Sequence, residues 1–436
     1  MKESTLKHSI LLRMLLAGVV AVAMLVPVAL VMVLVSERQD THAVAVREVA
    51  NQWGGRQVLT GPVLSLPELP SGDEGKGRRV RGGLCTHLLP ESMHVEARLT
   101  PELRQKGIYR VPLFAAVLSI RAEFSLAALR RNADDPVWEN GRPPFLSIGL
   151  SDVKGITAIR KAVVNGIPVV PEPGVRSGDH VPSGFTIPLQ GLSSDSRVRV
   201  EMEIDLRGSQ EFCIAPVGRN TTAVLSSSWA DPGFIGDYLP VKREVSASGF
   251  RAEWSVLDFN RNLPQSWMGA QKSISASTFG ARFVLPVDEY QKNERAVKYA
   301  ILFIALTFLG FFLIDTLGAS PFHPVHYLLA GLALILFFVL LLSLSEHVAF
   351  NAAYTGASAA ILLLVSLYLK GVTGKWSIAG SIGGVLFGMY AFLFVLLQLE
   401  DLALLLGSVG LLCILAVVMH LTRRIDWFHS SGAGGQ

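Results

Sequence analysis

Six apolar segments, one near the N-terminus and five crowded toward the C-terminus, constrain this chain more than any other feature. About 20 consecutive apolar residues are enough for a helix to cross the hydrocarbon core of a bilayer. Between Tyr299 and Leu421 only six residues are charged, and all six fall at breaks between apolar runs. The pattern predicts an α+β membrane protein with six transmembrane helices, one before and five after a large polar domain. The predicted helices are Ile10–Val35, Tyr299–Leu317, Tyr327–Leu344, Val348–Leu369, Ile378–Gln398 and Leu402–Leu421.

The long polar segment between the first two helices has the pattern of a β domain. Residues 36 to about 50 continue the first helix, which Gly54 and Gly55 should stop. From Arg197 to Arg207 apolar and charged residues alternate strictly, as in a half-buried antiparallel strand. We predict a large all-β, sandwich-like domain of two packed sheets, or two such modules. The predicted organisation is a tail (1–9), a helix (10–35), the β-rich domain (36–298), a five-helix bundle (299–421) and a tail (422–436).

Basic residues in the short loops predict the orientation. One predicted loop carries Lys370 and Lys375, and the C-terminal tail carries Arg423 and Arg424, whereas the loops on the opposite side carry no Lys or Arg. Both termini should therefore face the cytoplasm. The β domain should then lie in the periplasm of a two-membrane bacterium, with the first segment kept as an uncleaved anchor in the inner membrane.

The residue patterns give little indication of chemistry. A net charge of +4 does not indicate nucleic-acid binding, and the chain has no CxxC, HExxH or P-loop motif. We therefore predict no enzyme, cofactor or metal site. One polar cluster stands out in the short outer loops, where it would bind a divalent cation, relay protons or simply be hydrated. Its members are Glu346, His347, Glu400 and Asp401.

Two further residue sets leave alternatives open. Cys85 and Cys213 share the β domain and an oxidising compartment, so they would either form a disulfide or stay free. Glycines at spacing four in the fifth helix would pack against neighbours in the chain or form a homodimer face, which makes a homo-oligomer possible. Those glycines are Gly380, Gly384 and Gly388.

Several segments, taken in order along nearly the whole chain, carry a family resemblance. The densest is Ala215–Asn220 followed by Pro232–Pro240, Lys242–Val245 and Ser248–Phe250; others are Thr60–Pro62, Leu89–Ser92, Lys106–Tyr109, Asp288–Gln291, Arg295–Ala300, His323–Pro324, Leu344–His347 and Thr422–Trp427. The chain resembles the CreD family, inner-membrane proteins called cell envelope integrity proteins. The resemblance implies a link to envelope stress, to the Cre two-component system and to tolerance of colicins and β-lactams. It implies no reaction and no catalytic residues.

We therefore expect a non-enzymatic protein that supports envelope integrity. Its β domain would bind a periplasmic protein, glycan or lipid, while the helices anchor it in the lipid bilayer. Five aromatic residues would supply an exposed binding surface or pack in the core: Trp229, Phe234, Tyr238, Trp254 and Trp267. Two alternatives remain: a lipid or small-molecule transporter, marked by a membrane cavity lined by polar side chains, and a membrane regulator of an envelope partner.

Overall fold

The chain divides into two compact units. The computed structural model describes residues 15, 18–67, 85–129, 143–190, 197–270, 274–284, 289–316, 323–399 and 402–423. The β unit is Ala43–Pro286, and the helical unit combines Met1–His42 with Val287–Gln436.

The first helix ends where the sequence predicts. Helix α1 spans Leu25–Trp53. Its successor Gly54 has a φ of +140° and lies so near Arg207 O that a Cβ would be 2.8 Å from it, which explains why glycine ends the helix. Within the β unit, Val46 of this helix packs against Val111 and Leu113.

The β unit contains two sheets. The nine-stranded sheet has the order β13-β17-β11-β1-β5-β9-β8, with β2 and β16 on a side branch from β1; the eight-stranded sheet has the order β14-β15-β12-β3-β4-β10-β6-β7. The strands are β1 (Gln57–Pro67), β2 (Cys85–Leu88), β3 (Ser92–Lys106), β4 (Tyr109–Ser125), β5 (Phe145–Leu150), β6 (Ile156–Val164), β7 (Ile167–Pro168), β8 (Glu172–Pro173), β9 (Gly184–Pro188), β10 (Arg197–Ser209), β11 (Glu211–Ile214), β12 (Asn220–Ser227), β13 (Pro232–Gly236), β14 (Lys242–Ser246), β15 (Gly249–Leu257), β16 (Ser266–Met268) and β17 (Phe279–Phe283).

The main apolar core of the β unit is filled from both sheets. Strand β10 shows why the sheets pack this way. Its apolar residues from Val198 to Leu206 are buried at every second position, while the residues between them lie on the outer face. There Arg199 pairs with Glu123 at 2.9 Å, and Arg160 pairs with Asp205 at 2.8 Å. The alternation predicted from the sequence is confirmed, and it gives one core rather than two modules.

The two cysteines of the β unit do not form a disulfide. Cys85 and Cys213 are both buried, and neither is part of a disulfide. Their strands pair with opposite ends of β1, because Cys213 lies opposite Val58 and Cys85 lies opposite Pro67. Residues that far apart on an extended strand are separated by roughly 30 Å, whereas a disulfide needs Cα atoms within about 7 Å.

The helical unit supplies apolar helices at the positions that the sequence predicts. They are α3 (Ala300–Thr316), α4 (Pro324–Ser345), α5 (Phe350–Thr373), α6 (Trp376–Gln398) and α7 (Ala403–Thr422), in addition to α1. A charged helix that the sequence did not predict, α2 (Glu289–Lys298), precedes α3. Among the described residues, four helices are long and apolar enough to cross a membrane, and the bent pair α2–α3 makes up to five; Leu405–Val417 is a shorter apolar helix. Six crossings therefore stay a prediction.

The predicted glycine face of α6 points away from its described neighbours. A Cβ at Gly380, Gly384 or Gly388 would meet nothing within 4 Å, whereas one at Gly383 would lie 2.8 Å from Ser366 Oγ. Packing of the spacing-four glycines against described helices is therefore wrong. The alternative of a homodimer face stays a prediction.

Candidate functional site

The predicted polar cluster is only partly described. Glu346 follows the end of α4, and its side chain lies 3.8 Å from Arg38 Nε and accepts a hydrogen bond from Tyr290 OH at 3.4 Å. His347 is exposed, and its Nδ1 lies 3.1 Å from Ser343 O. Glu400 and Asp401 lie outside the described residues. The four-residue cluster stays a prediction, and Glu346 already has partners of its own.

Helix α2 makes further polar contacts that sequence reasoning did not anticipate. Asn293 and Ser345 are both buried, and Asn293 Nδ2 donates to Ser345 Oγ at 2.8 Å. Arg295 donates to the backbone oxygens of Leu396 and Leu399 at the C-terminal end of α6. A cation at this end of a helix is favourable because the last carbonyls carry partial negative charge. These contacts hold α2 in place and show no open chemical site.

A buried chain of polar side chains lies inside the β unit. Strand pairing sets Ser65 of β1 opposite His87 of β2, and both side chains are fully buried. Ser65 Oγ lies 2.8 Å from His87 Nδ1, and His87 Nε2 lies 3.3 Å from Asp179 Oδ2. The order serine, histidine, aspartate has the form of a nucleophile, a base and an orienting acid. Ser65 Oγ has no exposed surface, so a substrate carbonyl cannot reach it in this conformation.

A second histidine stacks on the first. The rings of His87 and His180 are 4.5 Å apart, and the ring of Trp267 is 5.3 Å from His87. Both ring nitrogens of His180 are buried without a hydrogen-bond partner in the part of the chain that the structure describes. Burial lowers the pKa of His180 to about 4, assisted by repulsion from His87 and opposed by Asp179. Burial also lowers the pKa of His87, although its hydrogen bond to Asp179 opposes this shift.

The histidine cluster, defined as Ser65, His87, Asp179, His180 and Trp267, therefore holds neutral imidazoles against one carboxylate. No local sequence pattern indicates the acidic partner of His87, because Asp179 comes from a distant segment of the chain. No group of three or more His, Cys, Asp or Glu suited to a metal ion occurs among the described residues. Within this arrangement Ser65 and His87 have no exposed surface, whereas the Asp179 side chain is partly exposed.

Comparison with known proteins decides the family. The sequence model described as "Inner membrane protein CreD" matches residues 9–428. The curated Inner membrane protein CreD of Escherichia coli (strain K12) is 35% identical over 411 residues, which cover 93% of this chain and 91% of that protein. The chain belongs to the CreD family. The CreD family consists of inner-membrane proteins, and the apolar helices described above agree with a multi-pass member.

Solved structures add nothing to the CreD assignment. An M1 zinc metallopeptidase from Deinococcus radiodurans aligns with 81% of this chain and 95% of its own at 8% identity, with a TM-score of 0.23. Yeast LTA4 hydrolase in complex with bestatin aligns with 55% of this chain and 37% of its own at 8% identity, with a TM-score of 0.21. Scores this low carry no argument about fold or activity.

The five aromatic residues singled out in the sequence lie on or between strands β12 to β16 and pack in or against the apolar core. Trp254 and Trp267 are 2% and 8% exposed, and Trp229, Phe234 and Tyr238 are half-buried against the core. The core alternative is confirmed for the two buried tryptophans. The exposed apolar residues nearby are instead Leu239, Val241 and Phe259, which are 77%, 69% and 95% exposed. Tyr238 connects the segment that carries Leu239 and Val241 to the segment that carries Phe259, because its OH donates a hydrogen bond to Asn260 O at 2.9 Å.

A shallow open groove on the apolar helices of this CreD-family chain is lined by aliphatic side chains. It has a volume of about 430 Å³ between α4 and α5. The lining residues are Leu329, Leu332, Ala333, Ile335, Leu336, Val339 and Leu364. The cavity that marks a transporter should carry polar side chains, and this groove does not.

Proposed function

We propose that this protein supports cell envelope integrity and the response to envelope stress from the inner membrane. Its β unit lies in the periplasm and binds an envelope partner, while the apolar helices cross the membrane and both termini face the cytoplasm. The observation that carries the proposal is the CreD match over residues 9–428. The function itself is inferred from the family description and from the large water-facing β unit.

The physical form of the two units supports binding rather than catalysis. The β unit offers charged sheet faces and an exposed apolar tip, defined as Leu239, Val241 and Phe259. Exposed apolar residues rimmed by charge are common at protein–protein contacts. Ser65 and His87 of the histidine cluster are fully buried, and Glu346 is engaged by Arg38 and Tyr290.

The orientation is tested by labelling single cysteines in whole cells with a maleimide that cannot cross the inner membrane. Val170→Cys places the thiol at a position of the β unit that is 82% exposed. Lys375→Cys places it in the loop between α5 and α6. Cys413 is an exposed native cysteine, so both variants are made in a Cys413→Ser background. We expect labelling at position 170 in intact cells. Position 375 should react only after the membrane is opened, and the reverse pattern would overturn the proposed orientation.

The function is tested by deleting the chain from its host and measuring survival under β-lactams and leakage of periplasmic proteins. We expect greater sensitivity, restored by the full-length chain. Photo-crosslinking from Leu239 or Phe259 should capture a partner in the envelope, whereas Val170, equally exposed, serves as the matched control. Unchanged sensitivity in the deletion strain would refute the envelope role.

A further inference from the structure

The ends of the two sheets are not protected equally. A terminal strand exposes unpaired backbone N–H and C=O groups, and natural proteins block such edges with proline, charge or shortness. Three of the four terminal strands along the two described sheet paths contain a proline: β7 (Pro168), β8 (Pro173) and β13 (Pro232). The side branch ends in β16, which has three residues. Strand β14 is the terminal strand without a proline.

Strand β14 is also exposed along its whole length. It pairs with β15 on one side, and each of its five residues from Lys242 to Ser246 is exposed. Val241 directly precedes it and is 69% exposed, and Val245 is 50% exposed. Its three consecutive charges, Lys242, Arg243 and Glu244, repel most strands, so this edge can accept only a strand of complementary charge.

The sequence of this edge is complementary to itself. Residues 241–245 read Val-Lys-Arg-Glu-Val. If two copies pair in antiparallel register about Arg243, each Lys242 lies opposite the partner's Glu244, and each Val241 lies opposite the partner's Val245. Residues directly opposite each other in a sheet share a face, so the charged pairs meet on one face and the valines on the other.

The neighbouring strand extends this charge pattern. On β15, Glu253 lies opposite Lys242 and Arg251 lies opposite Glu244. Joining two edges would therefore give a row across the outer face that alternates in sign: Glu253, Lys242, the partner's Glu244 and the partner's Arg251. Shifting the register by two residues in either direction would set Lys242 against Lys242 or Glu244 against Glu244. One register is thus favoured over its neighbours.

We propose that β14 is a homotypic interface, through which two copies of this chain join their eight-stranded sheets edge to edge about Arg243. This inference goes beyond the envelope role and does not depend on it. The central Arg243 lies opposite its own copy, and like charges there weaken the pairing. We therefore expect the dimer to form reversibly, and Arg243→Thr should strengthen it because it removes these like charges.

A disulfide across the twofold axis tests the register in the full-length protein in native membranes. In a Cys413→Ser background, Arg243→Cys should form a covalent dimer under copper–phenanthroline oxidation. Opposed residues have Cα atoms about 4.5–5.5 Å apart, within disulfide range. The matched control is Arg251→Cys on β15, also exposed, which would lie roughly 14 Å from its copy and should not link. No dimer at position 243, or a link to a different protein instead, would overturn the proposal.

A charge exchange provides the second test, read as energy transfer between labelled copies in liposomes of varied protein content. Lys242→Glu and Glu244→Lys each replace two opposite-charge pairs with two like-charge pairs, so each should weaken association about tenfold. The double variant restores opposite charges across the twofold axis but sets like charges against Glu253 and Arg251 of β15. Adding Glu253→Lys and Arg251→Glu restores the alternation of sign, and this quadruple variant should associate within about twofold of the wild type. A quadruple variant as weak as the singles, or single variants without effect, would contradict self-pairing.

Discussion

The β unit and the helical unit place their polar residues in opposite positions. On β10 the exposed residues Arg199 and Glu201 are charged and the alternate residues are apolar and buried. On α6 the exposed residues include Val385 and Phe387, which are 51% and 65% exposed. Inside the helical unit the buried Tyr354 OH donates to Tyr390 O at 2.7 Å. The β unit exposes charged residues, which water solvates, and the helical unit exposes apolar residues, which lipid solvates.

An exposed apolar side chain therefore has a different meaning in each unit. Facing water, such a residue is either tolerated singly or marks a contact surface. Facing lipid, it is in its preferred solvent, and polar groups must find partners inside the protein. The same substitution should consequently have unequal effects in the two units.

The largest expected difference comes from introducing one aspartate into each unit. Phe387 lies at the middle of α6, where Phe387→Asp would place a carboxylate in hydrocarbon at a cost of about 3 kcal/mol. Phe259 on the β unit is 95% exposed, so Phe259→Asp should change stability by less than about 0.5 kcal/mol. We expect the first variant to lower the amount of protein in the membrane fraction and the second to leave it unchanged.

The comparison would fail if both variants were inserted equally well. Phe387→Leu is the matched control, because it shortens the side chain without adding charge. Equal membrane yields for aspartate and leucine at position 387 would show that α6 does not face lipid there.

The histidine cluster predicts that the β unit loses stability on mild acidification. The pKa of His180 is lowered to about 4 in the folded protein, against about 6.5 in the unfolded chain. Below pH 6.5 the unfolded chain therefore binds protons that the folded state does not, and stability falls as the pH falls. The loss approaches about 3 kcal/mol near pH 4. Hydrogen exchange in β1 and β2 should accelerate between pH 7 and pH 5.

The variant His180→Phe distinguishes the loss of stability caused by His180 from acid denaturation caused by other groups. Phenylalanine keeps an aromatic ring against His87 and removes two buried nitrogens that have no hydrogen-bond partner among the described residues. We expect a smaller pH dependence and equal or greater stability at pH 7. An unchanged pH dependence would show that His180 does not carry the effect.

Two hydrogen bonds to histidine side chains should contribute differently to the free energy of unfolding, because one is buried and water can reach the other. Ser65→Ala leaves the fully buried His87 Nδ1 without its partner at 2.8 Å, at a cost of about 1–3 kcal/mol. Thr222→Val removes the partner of His94, which is half-buried, so water can replace it and the cost should stay below about 0.5 kcal/mol. Urea unfolding of the two variants, followed by tryptophan fluorescence, measures the difference. Equal losses would contradict the buried character of Ser65.

The sequence predicted those features that depend on local periodicity. The alternation on β10, the end of α1 before Gly54 and the positions of the apolar helices all follow from patterns within a few residues. The histidine cluster could not be predicted in this way. Strand pairing and a long connection bring together Ser65, His87 and Asp179, and no local sequence pattern relates these three residues. For the same reason the sequence left core and surface open for the aromatic residues: Trp254 on β15 and Phe234 on β13 meet only when the two sheets share a core.

The smallest expected effect concerns the open glycines of α6. Gly384→Ala adds a methyl group with nothing within 4 Å among the described residues, so stability should change by less than about 0.5 kcal/mol. Gly331 on α4 is the matched control, because a Cβ there would lie 2.9 Å from Met24 Sδ and 3.0 Å from Phe308 Cζ, and alanine should cost about 1 kcal/mol. Thermal unfolding in detergent micelles measures both. A larger loss at position 384, accompanied by loss of dimer, would show that the glycine face contacts a second copy and would favour that face over β14.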